Sequence, residues 1–319
     1  MKKFEELCMM TQPELKAYMH KYLSSRQYKV INEDGYIYTK GTVPVLLIAH
    51  LDTVHKEVCK NIFVDDNGLV SSPQGIGGDD RAGVFIIMNI VKELNCSVLL
   101  CEDEGTGGKG ARKFANSEYI NDLGVKYMIE FDRKGKDDAV FYSCDNKDFT
   151  KFITETTGFK EEHGTFSDIS IVAPAAKIAA VNLSCGYYNA HTLNEYVKLD
   201  ELQNTIEVAK ELIKTESDIF EYVAKKYEYN YYRNYSYDDY YGGYYGGNYV
   251  SQTKFPKQLS FNDYANKEFE LELEVVFTNI CGDEMIEYIS GKTKADCWAK
   301  FFMSNPDICF SMVTDYSFI

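Results

Sequence analysis

The sequence predicts an α/β protein: a three-layer α/β/α sandwich around a mixed, mostly parallel sheet, with a small α+β appendage at its C-terminal end. Three observations carry that expectation. Short apolar runs of strand length, Val45–Ala49, Ser97–Cys101, Tyr127–Phe131 and Lys177–Leu183, alternate with segments whose apolar residues recur at helical spacing. Three of those runs break off in polar groups, His50 with Asp52, Asp103 with Glu104, and Asp132, and in open α/β sheets polar groups gather at the carboxyl ends of strands. Beyond residue 226 the composition changes altogether.

In chain order, residues 1–24 read as helical: Thr11 and Glu14 make a capping-box pair, and Leu15, Met19, Tyr22 and Leu23 form an apolar stripe. Tyr28–Ile31 and Tyr36–Tyr38 flank Glu33-Asp34-Gly35 as a hairpin. The run Val45–Ala49 is short, β-branched and continuous, as a strand buried on both faces requires. A second hairpin follows, Asn61–Val64 and Leu69–Val70 about Asp65-Asp66-Asn67-Gly68. Asp80–Leu94 reads as a helix, Ser97–Cys101 as a strand, Gly105–Gly110 as a loop, and Ala111–Ala115 as the start of a helix. Strands are expected at Tyr127–Phe131, Ala139–Ser143 and Lys177–Leu183, and helices at Asp148–Thr156 and from Leu199 to about Lys226. These residues, 1–226, form the expected catalytic domain. Tyr227–Val250 holds eleven of the 26 tyrosines, interleaved with Asn, Asp and Gly-Gly, and has neither period; residues 227–254 read as a low-complexity tether. Residues 255–319 make the appendage, with a strand at Glu268–Phe277 and a helix at Thr293–Met303 ended by Asn305-Pro306.

Composition narrows the function. A net charge of −15 argues against a nucleic-acid groove, which needs a basic face. Nine cysteines stand singly with no CxxC spacing, which fits a reducing compartment, and no run reaches membrane-spanning length, so a cytoplasmic protein without a membrane partner is expected.

The chemistry centres on Val43–Val84. His50 and Asp52 are two apart on a strand and share a face, as suits a metal-bound imidazole with a carboxylate beside it. One hairpin later, the glycines of Gly75-Ile76-Gly77-Gly78 allow a tight turn into Asp79. With Asp103 or Glu104, Asp132 and His191, this makes two histidines and three carboxylates at element ends, a donor set for a pair of divalent ions, Zn2+ above all, with Co2+ or Mn2+ as substitutes. His20, His55 and His163 read as structural or solvated, and Asp80 as a helix cap rather than a ligand. Arg133 has two readings, pairing with Asp132 or an active-site acid, or binding a substrate carboxylate in bidentate fashion.

Six stretches, AHLDTVH, GIGGDDRAGV, EDEG followed by GKGA, EFDRKG, GTFSDIS and YYNAHTLNEYV, occur in an order and spacing that resemble the co-catalytic zinc exopeptidases and deacylases over roughly residues 40–215. The resemblance implies that His50 and Asp132 hold one ion, that His191 and an acid from the 102–104 window hold the other, that Asp79 bridges them, and that Asp52 stands behind His50 as a catalytic residue. It places Gly164–Asp168 in a substrate-side loop, with Asp168 and Arg133 as substrate-binding residues, and lets Glu195 support His191. Relatives carry adjacent glutamates, base then ligand; here the window Glu102-Asp103-Glu104-Gly105 admits three registers. In one Glu104 is the base and a glycine stands at the ligand position; in another Glu102 is the base and Asp103 the ligand. The middle register, Asp103 as base and Glu104 as ligand, keeps a complete ligand set and is adopted here.

Between the Asp132 and Gly164 motifs lie only about thirty residues, too few for the lid or dimerisation domain that many such enzymes insert, so an open site and a monomer are expected. The implied activity is hydrolysis of amide bonds in short peptides or N-acyl amino acids by metal-activated water, aminopeptidase-like. The alternative is a catalytically impaired metal-binding scaffold that recruits a partner through 227–319.

Overall fold

A computed structural model describes residues 2–225, 271–278, 284–291, 297, 300, 301 and 313–318. The chain divides into two compact units, Met1–Tyr232 and Arg233–Ile319.

The first unit is built on an eight-stranded mixed sheet. Its strands are β1 (Val30–Glu33), β2 (Tyr36–Thr39), β3 (Val43–His50), β6 (Cys96–Cys101), β7 (Tyr127–Arg133), β8 (Asp138–Val140), β9 (Lys160–Glu162) and β10 (Ala180–Ser184), in the spatial order β1-β2-β6-β3-β7-β10-β8-β9. β3 runs parallel to both β6 and β7, and β7 parallel to β10, so these four form the centre; β2 and β8 join antiparallel on either side. The absence of alternation in Val45–Ala49 is explained by burial on both faces. Val45, Leu47 and Ala49 pack into a core shared with helices α1 (Lys2–Cys8), α2 (Gln12–Ser25), α3 (Gly78–Ile90), α5 (Lys147–Thr157) and α7 (Leu199–Lys214). Leu46 and Ile48 face the opposite core, made with α4 (Lys109–Ala115) and α6 (Ile169–Ala176). This is the three-layer sandwich that the sequence predicts. No helix among the described residues is long and apolar enough to cross a membrane, and Cys8, Cys59, Cys96, Cys101, Cys144 and Cys185 are buried free thiols.

A smaller antiparallel sheet, β11 (Tyr187–Tyr188), β12 (Tyr196–Lys198), β5 (Leu69–Ser71) and β4 (Phe63–Val64) in that order, carries the loop containing His191 between β11 and β12. The segment between Asp132 and Gly164 forms β8, α5 and β9, which extend the main sheet.

Several elements differ from expectation for local reasons. Residues 1–24 form two helices, because Thr11 caps α2 with the capping box read from the sequence. α7 stops at Lys214 instead of running to Lys226: Thr215 is extended, and Phe220 leaves the helical path to pack on Tyr127, Phe149 and Phe152. The cluster Thr215-Glu216-Ser217-Asp218 is the turn signal that the apolar stripe obscured. α6, with Pro174 inside it, was not anticipated, and β10 starts only at Ala180, after Lys177 ends the helix at φ +58°. β8 is shorter than Ala139–Ser143, because Tyr142 turns the chain at φ +50°.

In the second unit β13 (Leu271–Thr278) pairs antiparallel with β14 (Glu284–Gly291) and β15 (Val313–Phe318). The strand expected at Glu268–Phe277 is therefore present over its described residues and runs one residue further, to Thr278. The tether Tyr227–Val250, and most of the expected helix Thr293–Met303, lie outside the described residues.

Close packing of α3 on the sheet yields a stability test. A Cβ at Gly83 would lie 1.9 Å from the Phe131 carbonyl oxygen and 2.5 Å from Asp80 Oδ1. Gly83→Ala is expected to cost at least about 2 kcal/mol, the scale of overpacking a core. Urea unfolding measures it; a change within about 0.5 kcal/mol, typical of a surface site, would contradict this packing.

Candidate metal centre

Three strand or helix ends and one loop converge. β3 delivers His50, 4 % exposed, at its last position. Asp79 lies at the start of α3 with non-helical dihedrals, Asp132 stands next to last in β7, and His191 sits in the β11–β12 loop at φ +67°. His50 Nε2 is 2.9 Å from Asp79 Oδ1 and 3.5 Å from Asp132 Oδ1. The other Asp79 oxygen, Oδ2, is 2.9 Å from His191 Nε2, so one carboxylate spans both imidazoles. Asp52 Oδ1 stands 3.4 Å from His50 Nδ1, and the same carboxylate accepts the backbone N–H groups of Glu104 and Gly105 at 3.0 and 3.2 Å. Thus His50, Asp52, Asp79, Asp132 and His191 share one neighbourhood.

The acid window resolves differently from the adopted register. Asp103 takes a left-handed conformation at φ +60°; its side chain is 45 % exposed and lies 3.6 Å from Lys109 Nζ, turned away from the cluster. That one backbone conformation hands the inward position to Glu104, which lines the cavity with Asp79, Asp132 and His191. The structure thus brings Glu104, and not Asp103, to the cavity that Asp79, Asp132 and His191 line. Asp168, expected as a substrate contact, is fully buried at the start of α6 and is not among the residues lining the cavity. Arg133 does line the cavity, but its Nε and Nη2 both donate to Asp138 Oδ2 at 3.1 Å, so neither reading of it from the sequence named its partner. Asp80 accepts from the Gly83 and His50 backbone N–H groups at 2.8 and 3.0 Å, a capping role as read.

Sequence reasoning missed the support behind Asp132. Tyr187 donates its hydroxyl to Asp132 Oδ1 at 3.2 Å, Ser167 Oγ lies 3.3 Å from Asp132 Oδ2 and also donates to buried Glu130, and Asn182 bonds the Asp132 backbone on both sides. A signal existed: Glu130 and Asp132 are two apart on a strand and share its face.

The electrostatics are those of crowded, desolvated acids. Burial opposes charge on His50, but Asp132, Asp52 and Asp79 hold its pKa well above the ordinary value. Burial raises Glu104 to about 7, with Asp132, Asp79 and Asp52 adding to the rise, and raises Asp168 to about 8 with help from Glu104 and Asp132. Burial pushes Asp52 up, yet His50 and the two backbone donors bring it down to about 2. Donor atoms of His50, Asp79 and Asp132 all lie within 4.8 Å of one another. One imidazole and two carboxylates so disposed fit a divalent cation, and the surplus of buried acids over bases is the charge that such an ion offsets. Asp79, His191 and Glu104 also line a cavity of about 650 Å3, with Asp79 Oδ2 turned to His191.

The raised carboxyls fix a pH dependence for metal-free protein. Asp168 keeps its proton in the folded state up to about pH 8, whereas unfolded it loses it near the ordinary aspartate value of about 4. Between those values the folded state binds more protons, so stability falls as pH rises. In chelator-treated protein the urea midpoint is expected to drop from pH 5 to pH 8, and Asp168→Asn is expected to flatten that slope. A midpoint that rises over the interval, or an unchanged slope in the variant, would contradict the assignment.

No protein-family model matches the sequence, and no curated protein matches it. Solved structures do. Aminopeptidase PepT from Bacillus cereus aligns over 66 % of this chain and 96 % of its own, with 15 % identity and a TM-score of 0.57. A tripeptidase from Staphylococcus aureus aligns over the same shares with 14 % identity and a TM-score of 0.56. A TET aminopeptidase from a marine-sediment archaeon of the Thaumarchaeota aligns over 66 % and 95 %, with 13 % identity and a TM-score of 0.52. With three layers, a mixed sheet and a histidine–carboxylate cluster at its strand ends, the chain has the fold of the aminopeptidases that its motifs resemble.

Proposed function

We propose that residues 1–226 form a metal-dependent hydrolase of amide bonds in short peptides, of the aminopeptidase type. The observation that carries this reading is the single Asp79 carboxylate placed 2.9 Å from His50 and 2.9 Å from His191, with Asp132 beside the first. His50, Asp79 and Asp132 would hold one cation. Asp79 and His191 would hold a second more weakly, because the residue after Glu104 is Gly105, which brings no side chain. Zinc is the first expectation for such donors. A cation bound there supplies Lewis acidity, which lowers the pKa of water from about 16 to about 7 and polarises a carbonyl.

The chain's own groups do the rest. Glu104, on the cavity wall and raised to about 7, accepts the proton of the attacking water on its carboxylate and returns it to the leaving amine. Asp52 orients the His50 ring through Nδ1 and, by binding the Glu104 backbone N–H, fixes where that carboxylate stands. Tyr142, Phe166 and Tyr188 give the cavity apolar walls for a side chain, while Arg133 and Lys134 offer positive charge to a substrate carboxylate. N-acyl amino acids are the second substrate class that these walls accommodate. The free cysteines suit a cytoplasmic enzyme.

A second reading, a metal-binding scaffold without turnover that recruits a partner through 227–319, draws on Gly105, since its lack of a side chain leaves the second position short of a ligand. Turnover separates the two. Purified protein is expected to carry at least one tightly held cation and to release amino acids from a peptide panel, with both lost to chelator. Metal binding without hydrolysis of any peptide or N-acyl amino acid would favour the scaffold, and protein that binds no divalent metal would defeat both. Glu104→Gln is expected to lower kcat by about 10²–10⁴, the range for general acid–base groups, with metal retained, while Asp103→Asn stays within a few-fold. The reverse ranking would restore Asp103 as the base.

A further inference from the structure

Glu195 is 1 % exposed and does not line the cavity. Its carboxylate ties together three segments. Oε1 accepts the backbone N–H of Asp79 at 3.0 Å; Oε2 accepts that of Gly77 at 3.0 Å and lies 2.8 Å from His55 Nε2. Four residues before it stands His191, so the β11–β12 loop brings one imidazole to Asp79 from the front and a carboxylate to the Asp79 backbone from behind. The glycines of the turn make room for this clamp. A Cβ at Gly75 would fall 2.1 Å from the His55 ring, one at Gly78 would lie 2.7 Å from Val197 Cγ2 and 3.4 Å from Glu195 Oε1, and Gly77 holds φ +66°. The glycine-rich motif is thus the footprint of His55 and of the β11–β12 segment closing on the turn.

We propose that Glu195, with His55 as its hydrogen-bond donor, is a positioning residue of the metal centre. It fixes the backbone from which Asp79 reaches between His50 and His191, and so sets cation affinity without touching the cation. A carboxylate on two backbone N–H groups and an imidazole makes charge-assisted bonds of the stronger kind, and groups that orient a ligand in this way are worth about 10–100-fold in metal affinity. The inference rests on the metal reading above, and its test separates the two.

The probe is cobalt(II) alone, titrated into full-length metal-free protein against a chelating competitor, with its visible absorption recorded. Glu195→Gln is expected to weaken affinity by about 10–100-fold and to shift the cobalt band, with Glu195→Asp recovering part of both. His55→Gln, which retains an N–H donor for Glu195, is expected to stay within a few-fold of the wild type, whereas His55→Phe weakens binding by about tenfold or more. A folded Glu195→Gln protein that binds cobalt as the wild type does overturns the proposal. Should that variant not fold, the two His55 variants decide: equal affinity overturns it, and the stated ranking supports it. Wild-type protein that takes up no cobalt defeats the metal reading and this inference together, while wild-type binding with unchanged variants defeats the positioning role alone.

Discussion

The constraint on which this structure turns is the crowding of carboxylates at the C-terminal ends of the central strands. Asp80, Glu130 and Asp168 are fully buried, and Asp52, Asp79, Glu104 and Asp132 are largely so, around the single imidazole of His50. Burying one unpaired carboxylate costs several kcal/mol, and like charges nearby add to that cost. The chain meets it in two ways. Asp168 is neutralised by burial, which holds its proton up to about pH 8, and Glu104 is raised to about 7; others are stabilised as anions by histidine and backbone N–H groups, as at Asp52 and Asp79. A cation held by His50, Asp79 and Asp132 would offset the remaining charge. An arrangement so costly without an ion is the physical reason to read the cluster as a site rather than as core packing.

Much of this was legible in the residues. The apolar run before His50-Leu51-Asp52 marked a buried strand that delivers the imidazole at its end, with Asp52 just beyond that end and 3.4 Å from His50 Nδ1. The glycine turn before Asp79, the acid ending β7 and the histidine of the β11–β12 loop also fell where polar groups collect in such sheets. What could not be read was set by single backbone torsions or by tertiary packing. Asp103 and Glu104 are adjacent acids of nearly equal chemistry, and only the left-handed conformation at Asp103 decides which faces inward. α7 stops where it does because Phe220 is claimed by three aromatic residues of two other segments, Tyr127 of β7 and Phe149 and Phe152 of α5, and helix propensity carries no record of that.

The low identity to the solved aminopeptidases, 13–15 % for the three compared, fits this division. A buried parallel strand asks only for apolar residues of suitable volume, so the four central strands can be rewritten freely while their order and twist persist. The strand ends cannot drift in the same way, because each donor must arrive within a few ångströms of the others.

The site also depends on what stands behind it. Asp132 is held by Tyr187 and approached by Ser167, Asn182 bonds its backbone from both sides, and Asp52 joins His50 to the Glu104 backbone. Each of these contacts links two segments distant in sequence, so displacing one donor moves at least one other. This explains why the donors lie on the rigid ends of β3, β7 and α3 while only His191 rides on a loop. Its side chain is 66 % exposed, against 5 % for that of His50. The half of the cluster around His50 is thus built into the sheet, and the half around His191 is the part that can yield.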